Sequence, residues 1–308
     1  MSIKKKIVRK MNGLVRRSPW FKEVLFPDCD KFWNHIVFNL DVVNLGSTSG
    51  LNAFDYEGLP VKAANWALGH NPIMADQEVL NNYFSFLNPQ SSTVILCLCP
   101  FTSLSGSYDY FEESSYTILR MSSIPHFSYK LKAKVMSMKK SPIRYYPMYA
   151  ILRDIKRLFC YKNTDHLLTE QQMEKDAQRW MSDWKKEFSV RSFSDSLTLI
   201  NRDSVMDAAT ILNEIICFCK ERNIRPVMLI PPVYHTLGKK FTPEARKVII
   251  DSLLDKITDK SVWFHNYMDD SDFTNDNTLF QNSFLMNKKG AKLFTRRVLK
   301  DLSILKES

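Results

Sequence analysis

Three hydroxyl residues in a row, Ser47, Thr48 and Ser49, stand between Gly46 and Gly50. A hydroxyl in a tight turn is a candidate nucleophile toward an acyl carbon, provided that a base takes its proton and donors hold the oxyanion that forms. Two histidines are candidates for that base: His235, which follows Pro231-Pro232, and His70, a few residues beyond Asn65. A base must come within about 3 Å of the hydroxyl and needs an orienting partner of its own. The acidic loop Asp269, Asp270, Asp272 and Asp276 offers carboxylates for that purpose. Each residue also has a plainer role: Ser47 or Ser49 as cap of a following helix, the histidines as loop residues, the aspartates as solvated turn residues. A phosphate-binding loop fits less well, because no Lys follows Gly50 as a Walker motif requires.

The elements that must position these groups are legible from the hydrophobic pattern. Asn39 to Leu45 reads as a buried strand that runs straight into the hydroxyl turn. The chain has only eight glycines in 308 residues, and two of them bracket the turn. That implies a backbone that bends sharply or approaches a ligand closely. Pro60 to Asn65 is a short second strand, Met74 to Phe86 a helix, and Ser92 to Pro100 an apolar strand stopped by proline. After a long interruption the alternation resumes with a helix over Val205 to Arg222 and a strand from Arg225 to Pro232. A helix from Pro243 to about Ile257, a strand over Val262 to His265 and a closing helix from Asn287 to Leu305 complete it. Strands alternating with helices predict an α/β fold with a doubly wound parallel sheet of flavodoxin-like type, whose loops 46–50, 100–106 and 231–238 meet at one end.

The interruption, residues 101–202, is too long for a loop and reads as a largely helical insertion, with helices near 147–160 and 169–188, that covers the carboxyl edge of the sheet and shapes a pocket. Its aromatic residues, Tyr108, Tyr110, Tyr116, Tyr145 and Tyr146 among them, serve packing or a carbohydrate-stacking surface. The expected organisation is a basic amphipathic N-terminal segment over 1–35 and a single α/β domain over 36–308.

The net charge of +10 is concentrated at the start. Residues 1–22 hold eight Lys and Arg and no acidic residue, which leaves +2 for the remaining 286. A nucleic-acid surface needs its basic groups spread along a face of the fold, so nucleic acid is not the expected partner. Ile3, Ile7, Met11, Leu14 and Val15 recur at helical spacing within this stretch. A basic amphipathic helix results, ended by Pro19 and followed by Trp20-Phe21, a pair for a lipid interface or for packing on the domain. It reads either as a contact with an anionic membrane surface or as a solvated leader. No run of eighteen apolar residues and no apolar signal-peptide core is present, so the expected location is cytoplasmic, or peripheral at the inner face of the membrane. Six cysteines without a CxxC read as reduced core residues, and no metal or cofactor is expected.

Taken together, Gly46-Ser-Thr-Ser-Gly50 after the first strand, Asn65 after the second, Pro231-Pro-Val-Tyr-His235 after a later strand, and Asn282 to Thr295 before the last helix resemble the SGNH/GDSL hydrolase superfamily. The bacterial members associated with surface polysaccharide and teichoic acid, which deacylate or O-acylate glycans, are the nearest in flavour. The resemblance covers about 40–100 and 203–305. It implies a nucleophile at Thr48, flanked by Ser47 and Ser49, with Gly46, Gly50, Asn65 and His70 as candidates for oxyanion or ligand binding. It also implies an Asp-His pair before the last helix, where this chain departs from the pattern: Phe284 and Leu285 occupy the acid and histidine positions. Loss of the triad serine or histidine costs roughly a millionfold in turnover in subtilisin.

The expected function is therefore that of an SGNH-like protein of glycan ester metabolism, catalytically degenerate, that acts by binding a carbohydrate or acylated glycan, or a partner. Two alternatives stand beside it. One is an active esterase or O-acyltransferase with a Ser/Thr nucleophile and a displaced base at His235; the other is a membrane-surface adaptor driven by the basic segment.

Overall fold

The computed structural model describes residues 3–34, 37–160 and 167–305. Residues 1, 2, 35, 36, 161–166 and 306–308 of the expected segments lie outside the described residues. The strands are β1 Val42–Leu45, β2 Ala63–Asn65, β3 Ser92–Cys97, β4 Ile224–Ile230 and β5 Trp263–Asn266. The longer helices, with the short one that follows β1, are α1 Ile3–Val15, α2 Thr48–Ala53, α3 Ile73–Tyr83, α4 Tyr129–Lys140, α5 Met148–Cys160, α6 Glu170–Glu187, α7 Leu199–Lys220 and α8 Lys288–Asp301.

The strands form one sheet in the order β2-β1-β3-β4-β5, every pairing parallel. Strands in the middle of such a sheet are covered on both faces, which is why β1 and β3 are buried along their whole length and read as largely apolar runs. The edge strands β2 and β5 are only partly buried, and their sequences are correspondingly mixed. Because β2 and β3 lie on opposite sides of β1, the winding direction reverses between β1 and β3. A crevice opens at the carboxyl ends of two such strands. This is the arrangement of an α/β protein with a doubly wound sheet.

Caps set several helix boundaries that periodicity alone misplaces. Thr198 accepts the Asn201 N–H at 3.3 Å, so α7 starts at Leu199 rather than Val205. The stretch from Pro243 is a helical turn that widens over Lys247–Asp251 before it closes at Leu254.

The chain forms two compact units, one of residues 1–36 and 111–166, the other of residues 37–110 and 167–308. The second contains the sheet, α2, α3, α6, α7 and α8. In the first, Trp20 and Phe21 are buried, which corrects the lipid-interface option for this pair. The Trp20 ring packs 5.0 Å from Tyr146 and its backbone N–H bonds to Asp154 of α5 at 3.3 Å. The expected insertion is divided between the units: 111–160 belongs with the N-terminal segment, while α6 belongs with the sheet. No helix among the described residues is long and apolar enough to cross a membrane.

Candidate functional site

The turn after β1 is fixed by its two glycines. Gly46 has φ +124°, and a Cβ there would stand 2.4 Å from the Cys97 carbonyl oxygen; a Cβ on Gly50 would stand 2.6 Å from that of Leu45. The close approach is to backbone of β3 and β1 rather than to a ligand, and neither glycine lines the cavity beside the turn. The Gly46 N–H donates to Asp76 Oδ1 at 2.9 Å, which ties the turn to α3. Ser47 occupies the cap position of α2 without using its hydroxyl as a cap.

At this reversal point lies a cavity of about 360 Å³. Its floor comes from Ser47, Thr48 and Ser49 after β1 and from Leu96 to Cys99 at the end of β3. His70, Asn71 and Asp76 approach from the β2–α3 side, Leu212 and Ile215 from α7. Trp180, Trp184 and Glu187 of α6 and Phe188 just after it close it, together with Phe284, Tyr108 and Tyr110. The aromatic wall is continuous: Trp184 packs 5.1 Å from Trp180, 4.9 Å from Phe284 and 4.2 Å from Phe101. A mostly apolar concavity with a few converging polar groups is the usual form of a small-molecule site. Three lining residues, Ser49, Asn71 and Trp180, each keep a buried polar atom with no hydrogen-bond partner in the protein. Such atoms are uncommon in folded proteins and call for a ligand, water or functional explanation.

The electrostatics of the cavity are mild. Partial burial raises the Glu187 carboxyl above its usual range, with the nearby His70 pulling the other way. Burial pushes up the Tyr108 hydroxyl, and the Glu187 charge adds to it. The Cys97 and Cys99 thiols are likewise raised by burial and stay protonated.

The structure brings some of the expected site residues together and separates others. Ser47, Thr48, Ser49, His70 and Phe284 line the cavity. His70 adopts φ +59°, and its backbone N–H, rather than its imidazole, bonds to the Thr48 hydroxyl at 3.2 Å. Asn65 does not supply an oxyanion donor: its amide donates to the carbonyls of Gly50, Leu51 and Phe54 at 3.1 to 3.2 Å, and its oxygen accepts from Asn44 and Ala67. The amide is consumed in holding α2 against the sheet. His235 is not among the residues lining the cavity; its Nε2 lies 3.1 Å from Glu170 Oε1. The acidic loop serves elsewhere too, Asp269 pairing with Arg246, Asp272 with Arg297, and Asp270 and Asp276 bonding backbone N–H groups of their own turns. Leu285 is buried outside the lining, and its N–H and that of Phe284 bond to the Asn282 side chain at 2.8 and 2.9 Å.

Sequence reasoning passed over Asn44, Asp76, Trp180, Trp184 and Glu187. Asn44 had a signal, an amide inside an otherwise apolar strand, which demands a partner when buried. Asp76 and Glu187 lie on helices that only the folded chain brings to the turn.

Compared with family models and with curated proteins, the chain gives no significant match to either.

Proposed function

We propose that this protein is an SGNH-hydrolase-like protein of glycan ester metabolism that binds an acylated carbohydrate in the β1–β3 cavity without turning it over. One observation supports the reading: the hydroxyl turn Ser47-Thr48-Ser49 and Phe284 line the same cavity, so an aromatic ring stands where the acid of the pair is expected, while Leu285, at the histidine position, lies outside the lining. Trp180, Trp184 and Phe284 offer flat faces for sugar rings or an acyl group, and the lining residues Ser49 and Asn71 have polar atoms free to bond hydroxyls or an ester carbonyl. The expected result is stabilisation of the full chain against thermal unfolding by O-acetylated oligosaccharides, with no hydrolysis of aryl acetates. Absence of stabilisation by any acylated glycan sinks this reading.

One observation favours the active alternative. His70, held in a left-handed conformation, lines the cavity beside Thr48 and near Glu187, so a displaced base would be His70 rather than His235. Aryl acetate turnover that disappears in Thr48→Ala and in His70→Ala, and survives in His235→Ala, would establish it in place of the binding reading.

A further inference from the structure

In the unit of residues 1–36 and 111–166, two helices turn their apolar stripes away from the core. In α1, Ile7, Met11 and Leu14 recur at spacings of four and three and are 54%, 43% and 62% exposed. The helix is seated instead by Val15 and by Asn12, whose Oδ1 accepts the Ile143 N–H at 3.1 Å. The same pattern recurs in α5, where Met148, Leu152 and Ile155 are 69%, 61% and 46% exposed. Its buried side is Ala150 and Asp154, the latter accepting the Trp20 N–H and the Tyr146 hydroxyl. A helix on a water-facing domain normally buries its apolar stripe. Apart from Val15, both of these bury small or polar residues and leave the stripe in solvent.

Charge supplies the second observation. Residues 1–36 and 111–166 hold 20 Lys and Arg against 7 Asp and Glu, a net +13, whereas the rest of the chain is −3. The structure thus unites the basic N-terminal segment with a second basic stretch in one unit. Lys10 of α1 and Lys156 of α5 are exposed on the same helices as the stripes. Apolar stripes flanked by cations complement an anionic bilayer, whose acyl boundary takes the first and whose headgroups take the second. A nucleic acid would satisfy the charge but leave the stripes in water. A second copy would bring the same +13 and repel.

We infer that this unit docks the protein peripherally on an anionic lipid surface through α1 and α5 together. The inference is independent of what the cavity binds. It is tested by co-sedimenting the full chain with vesicles of phosphatidylcholine alone or mixed with phosphatidylglycerol. Binding to the mixed vesicles is expected, weakened by salt. The pairs Ile7→Glu with Leu14→Glu, and Leu152→Glu with Ile155→Glu, should each weaken it at least about tenfold while the unfolding midpoint is unchanged. The inference is overturned by failure to bind the mixed vesicles, by equal binding to phosphatidylcholine alone, or by full binding in either double variant. Nucleic-acid binding or self-association lost in the same variants, in place of vesicle binding, overturns it equally.

Discussion

The His70 backbone N–H donates to the Thr48 hydroxyl at 3.2 Å, so the loop after β2 is pinned to the turn after β1 by a residue that itself lines the cavity. The bond joins two segments that are 22 residues apart and that meet only because β2 lies beside β1.

Thr48→Val keeps the shape of the side chain and removes the acceptor. A loss of about 1 kcal/mol is expected in equilibrium denaturation, with Thr48→Ser close to the parent, because a lost hydrogen bond of this kind contributes that order.

Gly46→Ala forces a side chain into φ +124° and against the Cys97 carbonyl. Backbone on both sides of the clash cannot yield cheaply, so a loss of at least about 3 kcal/mol is expected, read as a shift of the denaturation midpoint at constant slope.

Trp184→Ala removes the ring that joins Phe101, Trp180 and Phe284. The cost should fall at about 3 to 5 kcal/mol, as for large aromatic truncations in packed clusters. Any glycan-induced stabilisation should vanish with it, whereas His235→Ala should leave that stabilisation intact, since His235 pairs with Glu170 outside the lining.

Asp176 connects α6 to the segment carrying Phe284: it accepts the Ser283 N–H at 3.0 Å and hydroxyl at 2.7 Å, and pairs with Arg179. Burial alone would raise its carboxyl, but the bonds from Ser283 and Arg179 outweigh it and hold the group below the usual range. A carboxyl depressed in the folded state contributes stability above its unfolded pKa, and that contribution is lost as pH falls through the folded value. Asp176→Asn should therefore destabilise at neutral pH, with the difference from the parent shrinking as pH falls below the ordinary carboxylate range. A difference independent of pH in urea titrations would refute the assignment.

Local pattern was enough for the frame. The apolar runs of β1, β3 and β4 and the glycines about Ser47 to Ser49 mark strands and a tight turn because burial on both faces and a Cβ-free backbone are properties of the residues themselves. The same reasoning fails for Asn65 and His235. Asn65 ends β2 and His235 follows β4, where a site residue is expected, yet one is drawn to the carbonyls of α2 and the other to a glutamate on α6. Which partner a polar side chain finds is decided by what the crossovers bring beside it.

The sequence by itself determined the parallel α/β frame, the hydroxyl turn and the amphipathic character of α1, since each depends on spacing within a few turns of chain. Only the tertiary structure decided that Trp184 and Phe284 wall the same cavity as Thr48, and that the stripe of α1 faces outward beside a second basic stretch. Those outcomes join residues more than a hundred positions apart. Periodicity records which side of a helix is apolar; it does not record what, if anything, the folded chain lays against that side.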